Sequence, residues 1–182
     1  MLHEALISLI LERGYDAVTV RDVVQRAGVG RSTFYTHFAD LEEVLVGWPA
    51  GHRWLREFAA DGRSQRRPLG FTRALLEHVD ERRRLWRALV GKRGGTAVKQ
   101  RFRQDLLEEV REDVVALAGN QPAEVVDGIV HYVTGAFMEL LFWWLDARTA
   151  LAPADIDAIF HRLTAPALEG IARPTKPTFV PR

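Results

Sequence analysis

The chain has 182 residues and a formal net charge of +1, with 27% charged and 47% hydrophobic residues. This length can bury a proper hydrophobic core in one or two domains. Because cysteine is absent, disulfides and thiolate metal sites are excluded, which is consistent with a reducing cytoplasm. The longest apolar run, Leu140 to Leu145, is too short to cross a membrane, and no signal-peptide pattern is present. We therefore expect a cytoplasmic protein with no membrane partner.

Apolar residues at helical spacing predict a first helix within residues 2–13. A second helix is predicted over 19–27, where Thr19 can act as N-cap and Asp22 can complete a capping box. Gly28 suits the left-handed conformation that ends a helix. The short turn after it leads into another predicted helix, which is typical of a helix-turn-helix unit.

The third predicted helix, residues 31–38, has one buried and one solvated face. Phe34 and Phe38 are one turn apart and point inward together. Arginine can hold guanine through two hydrogen bonds, serine and threonine can reach several bases, and a threonine methyl can touch thymine. An ordinary solvated helix carries a mixture of Glu and Lys instead. The side chains left exposed, which suit the major groove of DNA, are Arg31, Ser32, Thr33, Tyr35, Thr36 and His37.

Within residues 19–38 the sequence, TVRDVVQRAGVGRSTFYTHF, resembles the DNA-binding domain of the TetR family of bacterial transcriptional regulators. The likeness in motif extends over residues 2–47, and beyond it only the helical layout is similar. The resemblance implies a homodimeric repressor that reads a palindromic operator in double-stranded DNA and is released by a small apolar or anionic effector. In our interpretation, the groove is faced by Arg31, Ser32, Tyr35 and Thr36, and phosphates are held by Thr19, Arg21, Thr33 and His37.

Charge is distributed unevenly along the chain. Residues 1–50 hold 4 Lys and Arg against 7 Asp and Glu, residues 51–103 hold 15 against 5, and residues 104–182 hold 6 against 12. The predicted DNA-binding unit is thus acidic, contrary to the usual basic footprint. TetR-like proteins also commonly carry a basic arm before the first helix, and often a Lys at the position of Leu41. Both departures predict weaker contact with the DNA backbone.

A Gly47-Trp48-Pro49 sequence interrupts the fourth predicted helix, which starts at residue 40 and runs on through Phe58. We expect either a hinge that transmits an effector signal or a first-turn proline where a new helix begins. Residues 40–58 are also expected to be the only element that touches both domains, and 61–67 are expected to form a loop. Further helices are predicted at 68–79, with Pro68 at its first position, and at 80–90, 96–118, 122–147 and 153–171.

The fold class is therefore all-α, with about nine helices. The predicted domains are a DNA-binding domain at 1–47, a ligand-binding and dimerisation domain at 48–172, and a tail at 173–182. Apolar side chains of the helix at 122–147 cover an arc of roughly 240°, far wider than the ~100° that one core face needs. This surplus predicts a four-helix dimer interface shared with the helix at 155–171. The candidate interface residues are Met138, Leu141, Trp143, Leu145, Phe160, Leu163 and Ala167, with the edge of the arc that points across the dimer left open.

An effector pocket is the other expectation for the C-terminal helices. The candidate lining residues are Trp54, Phe58, Trp86, Phe102, Tyr132 and Phe137, although ordinary core packing explains any one of them alone. The Arg82–Arg84 run is typical of a solvated face, and it can also attract an anionic effector or the DNA backbone.

No catalytic, metal or cofactor motif is found. No two histidines have the i, i+4 spacing of a helical zinc site, and none of the three serines lies in G-x-S-x-G. We therefore expect no enzyme activity and no cofactor. Two alternatives stay open: a DNA-binding regulator of the same fold without a small-molecule effector, and a helical enzyme, which would need paired polar groups with perturbed pKa values.

Overall fold

The computed structural model describes residues 1–46, 53–64, 67–90 and 95–172. These ranges hold ten α-helices and no strand, which confirms the all-α class. The fourth predicted helix, which was expected to kink or restart after residue 46, is described as two helices, α4 and α5. The helices are α1 Leu2–Arg13, α2 Val20–Ala27, α3 Arg31–His37, α4 Leu41–Val46, α5 Arg53–Ser64, α6 Phe71–Glu81, α7 Arg83–Val90, α8 Thr96–Ala118, α9 Ala123–Asp146 and α10 Pro153–Ala172.

The predicted loop after α5 differs from the structure, and two other predicted segments cannot be compared with it. The polar segment from residue 61 was predicted to be a loop, but α5 continues to Ser64. The predicted break at Gly47-Trp48-Pro49 and the predicted tail at 173–182 lie outside the described residues.

The N-terminal helices enclose a core of their own. Its centre is formed by Leu6 of α1, Val23 of α2 and Phe34 of α3, none of which is exposed to solvent. Val44 of α4 closes this core from the other side. Helix α1 therefore carries the packing of both α2 and α4.

Helix α9 is the central helix of the second, larger core, and it packs against α7, α8 and α10. By length and mean hydropathy α9 could cross a membrane, a test that core helices of globular proteins also pass. The longest uninterrupted apolar run of this helix, Leu140 to Leu145, does not reveal this property, because polar residues interrupt the apolar segment. Nine residues of α9 are buried, among them Phe137, Leu141 and Trp144, which makes it a core helix here.

Helix α7 joins the two cores. Its residues Leu85, Ala88 and Leu89 pack against the N-terminal core. A second contact lies at the start of α8, where a Cβ added to Gly95 would clash with the ring of Tyr15, at 2.9 Å from its Cε1. The expectation that residues 40–58 alone touch both domains is therefore wrong, because sequence periodicity identifies helices and not their distant neighbours.

Candidate DNA-binding surface

The start of α2 is fixed by the predicted capping box. The Asp22 amide donates to the Thr19 hydroxyl at 3.3 Å, and the Thr19 amide donates to the Asp22 carboxylate at 2.9 Å. Hydrogen bonds from the Thr19 side chain and backbone, together with Arg13 at 2.7 Å, lower the pKa of Asp22 to about 2. Because Arg13 belongs to α1, the same carboxylate also ties α2 to the first helix.

The turn after α2 is set by Gly28, whose φ of 68° is left-handed as predicted. Behind it, the Val29 amide donates to the Val24 carbonyl at 3.0 Å. Helix α3 then begins at Arg31, and its Phe34 is wholly buried, with the rings of Tyr35 and Phe38 at 5.2 and 5.9 Å. We call α2, α3 and the turn between them the reader. The reader is anchored through Phe34, so its orientation follows that of the N-terminal core.

The outer face of the reader presents the residues predicted to contact DNA. Tyr35 is 56% exposed. The Thr36 hydroxyl donates to the Ser32 carbonyl at 2.9 Å, which leaves its lone pairs outward. All eight predicted positions are exposed, and they are Thr19, Arg21, Arg31, Ser32, Thr33, Tyr35, Thr36 and His37. Both donors of Thr19, its hydroxyl and its amide, are used by Asp22, so a phosphate contact there would require their release.

Several acidic side chains near the reader make contacts within the chain. Asp40 caps the start of α4, since the Glu43 amide donates to Asp40 at 2.8 Å and the Ala39 amide donates to Glu43 at 2.5 Å. Burial, followed by the charges of Glu42, Asp40 and Asp16, raises the pKa of Tyr15 to about 12. Three of the seven acidic residues counted within 1–50, Asp16, Asp40 and Glu42, therefore act on Tyr15.

Three of the six residues predicted to line an effector pocket come together in one aromatic cluster. Trp86 and Phe102 are in edge contact at 5.2 Å, and His78, which sequence reasoning missed, joins them to Phe58 with centroid distances of 6.2 and 6.0 Å. Burial, followed by the charge of Arg82, lowers the pKa of His78. A half-buried histidine among aromatic rings has no sequence signature of its own.

The other predicted effector residues lie apart from this aromatic cluster. Tyr132 is 63% exposed on the outer face of α9. Phe137 packs between Phe71 and Phe160 at 6.4 and 5.1 Å. The side chain of Trp54 lies outside the described residues.

Two clefts are described, and neither is lined by a predicted effector residue. The larger, of about 540 Å³, is polar and lies between α4 and α8, with Glu42, Gln100, Arg101, Arg103 and Gln104 as its lining. The smaller, of about 330 Å³, lies between the start of α1 and the end of α2. Among the described residues, no group of three or more histidine, aspartate and glutamate side chains is arranged to hold a metal ion.

The predicted dimer residues divide between the core and the surface. Met138, Leu141, Leu145 and Phe160 are at most 8% exposed and belong to the core of their own subunit, so their assignment to an interface is corrected. Trp143 and Leu163 are 48% and 68% exposed, and Ala167 is also exposed. The apolar arc of α9 was wide because α8 and α10 cover most of it within one chain.

Comparison with known proteins agrees with this arrangement. Residues 2–46 match the family model of bacterial regulatory proteins, tetR family. A TetR transcriptional regulator from Streptococcus agalactiae 2603V is 24% identical, with a TM-score of 0.64 over 90% of each chain. A structure from Syntrophomonas wolfei, assigned to TetR-family transcriptional regulators, is 19% identical, with a TM-score of 0.64 over 92% of each chain. No curated protein sequence matches the chain. The family match covers α1 to α4, and the shared fold extends to the helices behind them.

Proposed function

We propose that this chain, a member of the TetR family of bacterial regulatory proteins, is a homodimeric cytoplasmic repressor that binds a palindromic operator and is released by a small-molecule effector. Its family and fold support the coarser statement that it is a DNA-binding transcriptional regulator. In the proposal, the domain at 1–47 reads DNA and the domain at 48–172 binds the effector and dimerises. We propose no catalytic residue and no cofactor.

The observation that carries DNA recognition is the exposed face of α3 above a buried Phe34. Base contacts specify sequence, whereas phosphate contacts position the protein. We assign base contacts to the groove-facing side chains of α3 and phosphate contacts to the exposed donors at its rim. The proposed base-reading residues are Arg31, Ser32, Tyr35 and Thr36, and the proposed phosphate-binding residues are Arg21, Thr33 and His37, with Thr19 acting first as the cap of α2.

Dimerisation is proposed through the outer faces of α9 and α10. Leu163 and Trp143 are the exposed large hydrophobic residues among the predicted interface residues, and Tyr132 is also exposed on α9. An exposed leucine and tryptophan on neighbouring helices favour a second copy over solvent. Two readers held by such an interface could engage half-sites one helical turn apart, about 34–36 Å, or a multiple of that distance.

The proposal is tested by selecting bound sequences from random double-stranded DNA with the purified protein. We expect a palindrome whose half-sites are separated by a fixed spacing. Enrichment of a single unpaired half-site would contradict the dimer, and failure to enrich any sequence would contradict DNA reading itself. The same selection with Arg31→Ala should lose preference at one base of each half-site.

A second candidate, a regulator of the same fold without a small-molecule effector, is favoured by the close packing of the aromatic cluster. Trp86 and Phe102 are 8% and 6% exposed, and their rings are in contact. The two candidates are separated by adding apolar and carboxylate compounds to the protein–operator complex. Release of DNA accompanied by a change in tryptophan fluorescence supports an effector, and release without binding to the protein does not.

A further inference from the structure

Helix α7 makes polar contacts with the carboxyl end of α9. The Arg87 Nε donates to the Leu145 carbonyl at 2.5 Å, and an Arg83 Nη donates to the Trp144 carbonyl. The Arg83 guanidinium also lies over the Trp144 ring, 4.3 Å from its centroid. The Arg82–Arg84 run was predicted to be a solvated face, but its Arg83 contacts α9.

These contacts occupy groups that α9 cannot satisfy by itself. The last carbonyls of a helix lack partners within that helix, and a cation at this end also interacts favourably with the helix dipole. Trp144 is wholly buried, and its indole N–H donates to the Leu151 carbonyl at 2.9 Å, just before α10. The end of α9 is therefore fixed to α7 on one side and to the start of α10 on the other.

The opposite face of α7 is docked on the DNA-binding half. Leu85, Ala88 and Leu89 pack against the core that includes Leu6 and Phe34. Helix α7 has only eight residues, about 12 Å at 1.5 Å per residue. Because α7 is short and contacts α9 on one face and the N-terminal core on the other, we expect it to move as a rigid body. A displacement of α9 would then also displace the N-terminal core.

We infer that α7 is a strut between α9 and the reader, and that Arg83 and Arg87 are positioning residues that set the half-site spacing the dimer accepts. This inference rests on the proposed homodimer, because α9 carries the proposed interface. Neither arginine touches DNA in this scheme. They act through α7 on the relative position of the two readers, so spacing depends on them and base preference does not.

The chain offers a matched control on the same helix. Arg84 is exposed and has no hydrogen bond or ion pair among the described residues. Arg84→Gln and Arg87→Gln each remove one positive charge from α7, so general electrostatic attraction to DNA falls equally in both. Of these two variants, only Arg87→Gln removes the hydrogen bond from the Arg87 guanidinium to the Leu145 carbonyl of α9. Arg87→Lys keeps a charged donor within reach of the carbonyl and serves as the rescue variant.

The first measurement is a distance between the two readers. Because the chain has no cysteine, Gln25→Cys on the exposed side of α2 places one spin label in each subunit. We expect a narrow label-to-label distance distribution in the parent protein, in Arg84→Gln and in Arg87→Lys, and a broader or shifted one in Arg87→Gln. Circular dichroism on the same samples establishes that the helices are intact.

The second measurement is DNA selection with operators whose half-site spacing is varied. Arg87→Gln should retain the half-site sequence and lose the preference for one spacing, and Arg83→Gln should do the same. Unchanged distance distributions and spacing in folded Arg83→Gln and Arg87→Gln would overturn the inference, as would equal changes in Arg84→Gln. Absence of any inter-subunit distance in the parent protein would instead overturn the proposed homodimer, and the strut with it.

Discussion

Asp157 offers a quantitative test of what holds α10 to the rest of the C-terminal half. It is 4% exposed and accepts hydrogen bonds from Thr72 at 2.6 Å and from Arg67 at 3.0 Å, with His161 Nε2 at 3.4 Å. Burial alone would raise the pKa of Asp157. The hydrogen bonds from His161 and Thr72 and the charges of His161 and Arg67 outweigh burial, and the pKa falls from 3.8 to about 2.

The sign and size of the effect follow from this shift. A carboxylate with a lowered pKa in the folded state adds stability that is present above its unfolded pKa and is lost as the pH falls through the folded one. At 1.36 kcal/mol per pKa unit, the contribution of Asp157 is on the order of 2 kcal/mol at pH 7, and roughly half of it remains at pH 3. Asp157→Asn removes the charge with little change in volume, so it should lower the free energy of unfolding by about 2 kcal/mol at pH 7 and by about 1 kcal/mol at pH 3.

The assay is urea unfolding followed by circular dichroism at pH 7 and pH 3, with protein concentration held constant because the proposed dimerisation would couple to stability. The control is Asp127→Asn, which removes a surface ion pair with Arg111 and should cost less than about 1 kcal/mol. The reasoning is refuted if Asp157→Asn costs the same at both pH values, or no more than Asp127→Asn at pH 7.

Further predictions concern DNA reading, domain contact and assembly. Arg31→Ala should cost roughly 1–3 kcal/mol at one base position per half-site, while His37→Ala should weaken all sequences alike in competition binding. Gly95→Ala would force the ring of Tyr15 to move, so it should lower the free energy of unfolding by about 1–3 kcal/mol in urea, and an unchanged midpoint would contradict the close contact. Leu163→Glu should abolish the proposed dimer in sedimentation at micromolar concentration, and a persistent dimer would place the interface elsewhere.

The reader could be predicted from the sequence because its determinants are local. Thr19 and Asp22 are three residues apart, and Gly28 needs only its own backbone to end α2. Phe34 points inward because every other α3 position around it is polar. Each of these signals acts within one helical turn, so none depends on knowing which distant segment packs where.

The interface and pocket residues could not be predicted in the same way. Periodicity marks Leu141 and Leu163 equally as apolar positions on their helices, yet the first is wholly buried and the second is 68% exposed. What separates them is coverage by other helices, which depends on contacts distant in sequence. Tyr132 likewise faces outward although its helix is the centre of the core.

Residues 1–50 have an acidic net charge, and two of their four arginines are held in ion pairs. Arg13 is paired with Asp22 at 2.7 Å, and Arg26 is paired with Glu12 at 2.7 Å. Among residues 1–46, the arginines without a described ion pair are Arg21 and Arg31, both of them exposed on the reader. If Arg31 contacts a base, few cationic side chains of the reader remain to neutralise phosphates. Neutralisation of phosphates is a main source of affinity for DNA.

One reader of this kind should therefore bind weakly, and in the proposed homodimer useful affinity would come from two readers engaging one operator together. Simultaneous engagement contributes only when geometry allows it and is lost when it does not. A protein with a weakly basic reader thus depends more on the separation of its two readers than one with many phosphate contacts. The arginine contacts between α7 and α9, and the packing of α7 on α1, are the described features that could hold that separation constant.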